Sequence, residues 1–248
     1  MIKIVITGIS GRMGKRIGSI ASEDKEFEIV GAVEAPGNSV IGKDIGEVLS
    51  IKKTGKIVES ELNKIKEKYD VIIDFTTPRA TMKHLDEARK KKKSIVIGTT
   101  GFVSYDIEMI KKSSTTIPIL YSPNMSKGAN VLFEITEQVA KELGKDYEIE
   151  IIEAHHNKKK DAPSGTCKML GESVAKATGK VPPMHSVRIG DIVGDHTVIL
   201  AGKSERIELT HRAQSRDAFA NGALDAAKFL AKQKPGLYNM HDVLKEEK

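Results

Sequence analysis

Residues Ile2 to Gly14 constrain the fold of this chain more than any other stretch. Ile2 to Thr7 is a continuous apolar run of strand length that breaks into Gly8-Ile-Ser-Gly11-Arg-Met-Gly14, and a helical pattern follows with Ile17 and Ile20 on one side. Strand, glycine turn and helix open a doubly wound sheet. The glycines let the backbone turn tightly and approach a pyrophosphate, whose charge the helix N-terminus stabilises. The spacing is G-x-x-G-x-x-G rather than G-x-G-x-x-G, because Ser10 stands where a glycine is usual. On spacing alone two readings stand, a dinucleotide cradle and a glycine turn needed only for backbone geometry.

A second strand, Phe27 to Val33, ends at Glu34, where an acid accepts hydrogen bonds from the ribose hydroxyls of a bound adenosine. Ala35 comes next, not an arginine. A carboxylate without an adjacent cation disfavours the extra phosphate of NADPH, although Arg12 or Lys15 could reach it, so NADH is expected to serve at least as well as NADPH. Pro36 to Glu61 patterns weakly and reads as a crossover with short elements. Val71 to Phe75 is another buried strand, and Thr76-Thr77-Pro78 starts a helix reaching about Lys93. Ile95 to Ile97, a helix near Tyr105 to Lys112, and Ile117 to Tyr121 continue the alternation. It predicts an α/β fold with an N-terminal Rossmann-like, doubly wound parallel sheet. Ligands of such sheets bind beyond the carboxyl ends of the strands, where Phe75-Thr76-Thr77, Gly98-Thr99-Thr100-Gly101 and Ser122-Pro123-Asn124-Met125 fall.

From Ser126 the pattern changes. Lys127 to Leu143 carries Val131, Leu132, Ile135, Val139 and Leu143 at helical spacing, which predicts a helix packing that face. Tyr147, Ile149 and Ile151 alternate with Glu148 and Glu150 as in a half-buried strand. His185 to Ile189, His196 to Ala201 and Glu205 to His211 are further strands, and their short glycine-containing connections predict antiparallel hairpins. The second part is thus expected to be a smaller α+β domain with an open, mainly antiparallel sheet. Ile207 and Leu209 alternate with charged residues there, so some of the second face is expected to be buried between subunits. A last helix runs from Ser215-Arg216-Asp217 to about Lys232, with Phe219, Ala223, Ala227 and Leu230 inward.

The chemistry concentrates in Glu153 to Thr166, E-A-H-H-N-K-K-K-D-A-P-S-G-T, directly after the strand that ends near Ile152. Histidine exchanges a proton near neutral pH, and lysine offers a compact charge, so the group suits an anionic substrate. Asp161, Pro163, Ser164, Gly165 and Thr166 read as the entry to a helix continuing to Lys176, whose free N–H groups form an anion site. The other reading is surface histidines beside a solvated lysine face, to which Lys158 and Lys160 belong in either case. No metal is expected: His155 and His156 are adjacent on a strand end and point apart, and no cysteine or carboxylate cluster completes a shell. Cys167 is either a small packing residue or a thiol nucleophile of an aldehyde dehydrogenase-type enzyme, since helix N-termini depress cysteine pKa.

Charge helps only to exclude. The net +6, from 40 basic and 34 acidic residues, suits nucleic acid, anionic lipid and small acidic substrates alike. No helix-turn-helix or zinc-finger spacing occurs, and Arg89 to Lys93 reads as the basic end of a helix, so no nucleic-acid partner is expected. Apolar runs are strand-sized and Ile2 to Ile6 follows the start without a basic and apolar leader, so no membrane partner and a cytoplasmic location are expected. The single cysteine fits a reducing compartment.

His155, His156, Lys159, Asp161 and the Pro-Ser-Gly-Thr turn resemble the signature H-H-x-x-K-x-D-A-P-S-G-T of the dihydrodipicolinate reductase family. The likeness extends to G-x-x-G-R-M-G, D-F-T-x-P, G-T-T-G and P-N-x-S, and on to Pro235-Gly-Leu-Tyr-Asn-Met-His-Asp-Val-Leu244. It implies reduction of hydroxy-tetrahydrodipicolinate, a small dicarboxylate, by NADH or NADPH with loss of water. It implies His155 as acid, Lys159 as second proton donor, and His156, Gly165 and Thr166 as substrate contacts. Gly8, Gly11, Arg12, Met13, Gly14 and Glu34 would hold the cofactor, with Phe75, Thr76, Gly98, Thr99, Thr100 and Ser122 to Met125 on its nicotinamide side. A dinucleotide-binding domain of residues 1–125 with 216–248, a substrate-binding and oligomerisation domain of residues 126–215, and a homotetramer are further implications. A non-enzymatic NADH-sensing protein would keep the glycine turn and Glu34 but leaves the histidine–lysine segment without a purpose.

Overall fold

The protein is described by a computed structural model covering residues 1–246. It divides into two compact units, Met1–Met125 with the chain from Phe219 onward, and Ser126–Ala218.

The first unit runs β1 (Ile2–Thr7), α1 (Arg12–Glu23), β2 (Phe27–Val33), α2 (Ile45–Leu49), β3 (Val58–Glu59), β4 (Val71–Asp74), α3 (Pro78–Lys91), β5 (Ser94–Ile97), α4 (Ser104–Ser113) and β6 (Pro118–Tyr121). Its strands pair in parallel in the order β3-β2-β1-β4-β5-β6, so the order reverses between β1 and β4. Strands of alternating β-branched residues are buried on both faces. Ile4 and Ile6 enter one core cluster with Val71 and Ile73, whereas Val5 and Ile72 enter the other. Thr77 caps α3 by accepting from Ala80 N, Pro78 occupies the first turn, and Arg89, Lys90 and Lys91 complement the dipole at its end.

The second unit contains α5 (Lys127–Leu143), β7 (Glu148–His155), α6 (Gly165–Thr178), β8 (Met184–Arg188), β9 (Asp195–Ala201) and β10 (Arg206–Arg212), in a four-stranded sheet of order β10-β9-β7-β8. Two expectations fail here. The connection between β8 and β9 is not a hairpin: β8 pairs in parallel with β7, and β9 pairs antiparallel with β7 and β10. The reason is the intervening α6, which makes β7-α6-β8 a crossover unit and so parallel. The glycine-containing connection hydrogen-bonds instead to the end of β7, through Ile189 N to His155 O at 2.9 Å and His156 N to Ile192 O at 2.7 Å. Only β9 and β10 form a hairpin, closed by Gly202 N to Glu205 O at 2.9 Å.

The packed face of α5 is also different. Ala129, Leu132, Phe133, Thr136 and Ala140 are buried, while Val131 and Ile135 are 40% and 41% exposed. Small residues let the helix approach its neighbours closely, and a pattern counted on large apolar residues overlooks them.

The chain returns to the first unit through α7 (Asp217–Leu230), β11 (Gly236–Tyr238), which extends the parallel sheet beside β6, and α8 (Met240–Glu246). Among the described residues no helix is long and apolar enough to cross a membrane.

Candidate active site

In the first unit, the glycine turn sits where the strand order reverses, the place at which doubly wound sheets open a crevice. Gly8 adopts φ +72°, and a Cβ on Gly14 would lie 2.1 Å from the Gly8 carbonyl oxygen, so α1 can start hard against the turn only because both residues lack side chains. The N-cap is Gly11, with no side-chain cap and no acid in the first turn. The first-turn N–H groups are therefore open to an anion. Arg12 is exposed beside them, and Met13 packs against the core.

Glu34 points back to this turn. One oxygen accepts from Ser10 N at 2.9 Å and from the Ser10 hydroxyl at 2.7 Å, and the other accepts from Ala35 N at 2.9 Å. A cavity of about 780 Å³ carries Gly8, Gly11, Glu34, Phe75 and Thr76 on its walls, together with Ser10, Arg79 and Lys83. Arg12 and Lys15 are not among its lining residues; the cations facing it come from α3. A capless helix start, a glycine-only approach and a carboxylate at the far strand end fit a dinucleotide.

Behind Phe75 and Thr76 lies a buried carboxylate. Asp74 Oδ1 accepts from the hydroxyls of Thr76 at 2.7 Å, Thr81 at 2.8 Å and Thr99 at 3.0 Å, and Oδ2 pairs with His84 Nδ1 at 2.5 Å. Burial pushes Asp74 up, but His84 and the threonine hydroxyls outweigh it and hold the carboxyl below its ordinary range. Thr76 N donates to Thr99 Oγ1 at 2.9 Å, which ties the two strand-end loops together. Gly98 lies under the Phe75 ring, where a Cβ would be 2.2 Å from it. Thr100 and Pro123 are exposed; Ser122, Asn124 and Met125 are buried, the Ser122 hydroxyl donates to Asn124 O at 2.7 Å, and Met125 belongs to the core. None of the segment 122–125 is among the residues lining the cavity.

In the second unit, the alternation of β7 carries through to its end, so that after Ile149 and Ile151 the inward positions are Glu153 and His155. Glu153 is fully buried and receives a bidentate Arg188 at 2.7 and 2.8 Å, Ser164 N at 3.2 Å and His155 Nδ1. Burial pushes Glu153 up, but Arg188, Ser186 and His155 bring it to about 2. His155 itself is held below its ordinary value by burial, against the pull of Glu153. The His155 and His196 rings meet edge to face, 5.1 Å between centroids. His156 is half-buried, Lys159 pairs with Asp161 at 2.9 Å, and Lys158 and Lys160 are exposed.

Ser164 is the N-cap of α6, accepting from Cys167 N at 3.1 Å, and Gly165 and Thr166 form the first turn with Gly165 exposed. The structure thus gathers His155 and the start of α6 around one carboxylate. Of the two readings of Cys167 the structure supports the packing residue: it is fully buried, and burial, with the Glu153 charge, pushes its thiol up to about 11. Among the described residues no group of three or more histidine, cysteine or acidic side chains sits as a metal-binding cluster.

In the sequence reading Glu153, Arg188 and His196 carried no individual role, although Arg188 and His196 stand in a stretch, Val187 to Thr197, that resembles the family pattern R-x-G-x-x-x-G-x-H. Glu153 was accessible to it, since period-two alternation from Ile149 places an acid on the buried face, and a buried charge requires a partner. The pairing of Arg188 with Glu153 was not, because the hairpin expectation excluded the parallel register that sets Arg188 opposite His155. Ser10 and His84 find their partners 24 and 10 positions away, outside any one motif, whereas Asp74 opens the D-F-T-x-P motif and only its burial is new.

The first unit has the doubly wound fold shared by dinucleotide-binding oxidoreductases, and the second carries the buried group of Glu153, His155 and Arg188. The family models described as "Dihydrodipicolinate reductase, N-terminus" and "Dihydrodipicolinate reductase, C-terminus" match residues 2–125 and 128–244. The chain belongs to the dihydrodipicolinate reductase family. It is 44% identical to the 4-hydroxy-tetrahydrodipicolinate reductase of Geotalea daltonii and 45% identical to that of Geobacter sulfurreducens, each match covering 98% of this chain and 99% of the relative. Its fold resembles that of the dipicolinate-bound dihydrodipicolinate reductase from Paenisporosarcina sp., with a TM-score of 0.79 at 23% identity over 96% of this chain and 97% of that one.

Proposed function

We infer that this chain catalyses the NAD(P)H-dependent reduction of 4-hydroxy-tetrahydrodipicolinate to tetrahydrodipicolinate, with loss of water, in diaminopimelate and lysine biosynthesis. The observation that carries this reading is the match to reductases of that name over both units at 44–45% identity. The bound cofactor supplies the hydride. The open N-terminus of α1 receives its pyrophosphate, and Glu34 receives the adenosine ribose. Glu34 followed by Ala35 favours NADH at least as much as NADPH, and no metal takes part.

In the second unit His155 donates a proton, Lys159 is the second donor, and His156 with the N–H groups of Gly165 and Thr166 holds a carboxylate of the substrate. The Lys159 ammonium suits a dicarboxylate, whereas the Arg188 charge is taken up by Glu153. Residues 1–125 with 216–248 act as the dinucleotide-binding domain and residues 126–215 as the substrate-binding and oligomerisation domain. The open face of the second sheet, with Ile152 and Val187 exposed at 40% and 42%, supports a homotetramer assembled through it; Ile207 and Leu209 do not belong to that face, because they pair with the buried Leu200 and Val198. The enzyme works in the cytoplasm without nucleic-acid or membrane partners.

The test follows NADH absorbance when the protein meets the freshly made condensation product of aspartate semialdehyde and pyruvate, with NADPH run in parallel. Oxidation that requires both the condensation product and His155 is expected. Tight NADH binding without oxidation would instead indicate a nucleotide sensor.

A further inference from the structure

We propose that Glu153 is a positioning residue for His155, kept ionised by Arg188, and that it presents His155 Nε2 as the atom that exchanges the proton in this site. The proposal rests on the reductase reading for its chemistry and on geometry for its assignment.

An ionised carboxylate only accepts, so the ring nitrogen facing Glu153 Oε2 must carry hydrogen, and His155 Nδ1 is that nitrogen. Neutral His155 then has its lone pair on Nε2, and cationic His155 has its acidic hydrogen there. The surroundings leave that atom room. A Cβ on Gly194 would lie 3.0 Å from Nε2, so the glycine lets backbone and ring approach without covering the atom with a side chain. The His196 edge-to-face contact fixes the ring plane.

The other carboxylate oxygen serves the anion site. Glu153 Oε1 accepts from Ser164 N at 3.2 Å and Arg188 Nη2 at 2.7 Å, and Arg188 Nη2 also donates to Asp161 O at 2.6 Å. One carboxylate therefore sets the proton-exchanging atom and the cap of the helix whose first turn offers N–H groups. The charged or titratable groups facing His155 are Glu153 on its own strand, Lys159 and its partner Asp161 in the following loop, Arg188 on β8 and His196 on β9. Glu153 favours the imidazolium, and burial, Lys159 and Arg188 oppose it.

The experiment compares the full-length protein with Glu153→Gln, which keeps the shape and removes the charge. Histidine ring titration by NMR is read at His155, assigned among the seven histidines by its loss in His155→Gln. In the wild type, ¹⁵N shifts are expected to show the Nδ1–H tautomer. An Nε2–H tautomer at His155 overturns the proposal, and this reading does not need Glu153→Gln to fold. In Glu153→Gln, His155 is expected to titrate at lower pH; an unchanged titration also overturns it.

In turnover, Glu153→Gln is expected to lose on the order of 100-fold in kcat and to lose activity at lower pH as pH is raised, with NADH binding unchanged. Added to His155→Gln, it should cost nothing further; a full additional loss contradicts action through His155. If the wild type oxidises no NADH with the condensation product, the reductase reading fails alone, and the titration still decides the proposal.

Discussion

His196 and His211 are register partners on adjacent antiparallel strands, and each ring meets the serine that caps a different helix. His196 Nε2 lies 3.1 Å from Ser164 Oγ at the start of α6, and His211 Nε2 lies 3.3 Å from Ser126 Oγ at the start of α5. One β-ladder thus anchors both helix N-termini of the second unit. Burial is the main cause holding both rings below the ordinary histidine value, and His196 is pushed down to about 3.

That depression fixes a pH dependence of stability. A histidine neutral in the folded chain but protonated when unfolded takes up protons on unfolding between its folded and unfolded pKa values. Stability is therefore complete above about pH 6.5 and falls as pH drops toward 3, by up to about 1.4 kcal/mol for each pH unit per linked proton. Urea unfolding between pH 6.5 and 4.5, above the range of most carboxylates, isolates the histidines. His196→Gln is expected to have a shallower slope there than the wild type, and equal slopes would remove His196 from the account.

The Asp74 network predicts a different phenotype. Thr99 Oγ1 donates to Asp74 and accepts from Thr76 N, so Thr99→Val leaves a buried carboxylate one donor short and releases the Thr76 loop. The expected loss is about 1–3 kcal/mol in denaturant unfolding together with weaker NADH binding by fluorescence titration. Thr99→Ser, which restores the hydroxyl, should recover most of both. A Thr99→Val protein as stable as the wild type would contradict the role assigned to this hydroxyl.

How far the sequence reached follows from the range of each interaction. The parallel sheet was legible because its strands are continuous apolar runs interrupted by glycine turns, and both signals are local. The order of the second sheet was not: whether β8 joins β7 or β9 depends on where α6 packs, and the glycines at 190 and 194 suit a hairpin equally well. The same limit applies at the site. His155, Lys159 and the start of α6 stand within one motif, whereas Arg188 reaches Glu153 across 35 positions. His84 was passed over because its purpose is visible only once Asp74 is found buried beneath it.

On the proposed reading of the first cavity, cofactor choice turns on Glu34 and on α3. Arg79 and Lys83 line the same cavity as Glu34, so under that reading they are the cations placed to attract a 2′-phosphate there. Arg79→Ala is expected to raise the KM for NADPH several-fold and leave that for NADH nearly unchanged. Glu34→Ala should weaken NADH more than NADPH, since it removes a ribose acceptor and a negative charge together. Steady-state kinetics with both cofactors check this, and a wild-type KM markedly lower for NADPH would overturn the expected preference.

Lys159 gives the sharpest test of the second unit. Its ammonium is 2.9 Å from Asp161 and only partly exposed, next to the loop that Arg188 binds through the Asp161 carbonyl. Asp161 is held below its ordinary value by Lys159 and Arg188, against a larger opposing effect of burial, so it remains an anion that keeps the lysine at the site. On the proposed reading, Lys159→Ala removes a proton donor and a charge that faces the dicarboxylate. It should lower kcat by roughly 10²- to 10⁴-fold while NADH binds as before. Lys159→Arg keeps the charge but cannot release a proton at working pH, so it should restore substrate KM without restoring kcat. Recovery of turnover by arginine would show that the position supplies charge alone, and the second proton would then have to come from another donor.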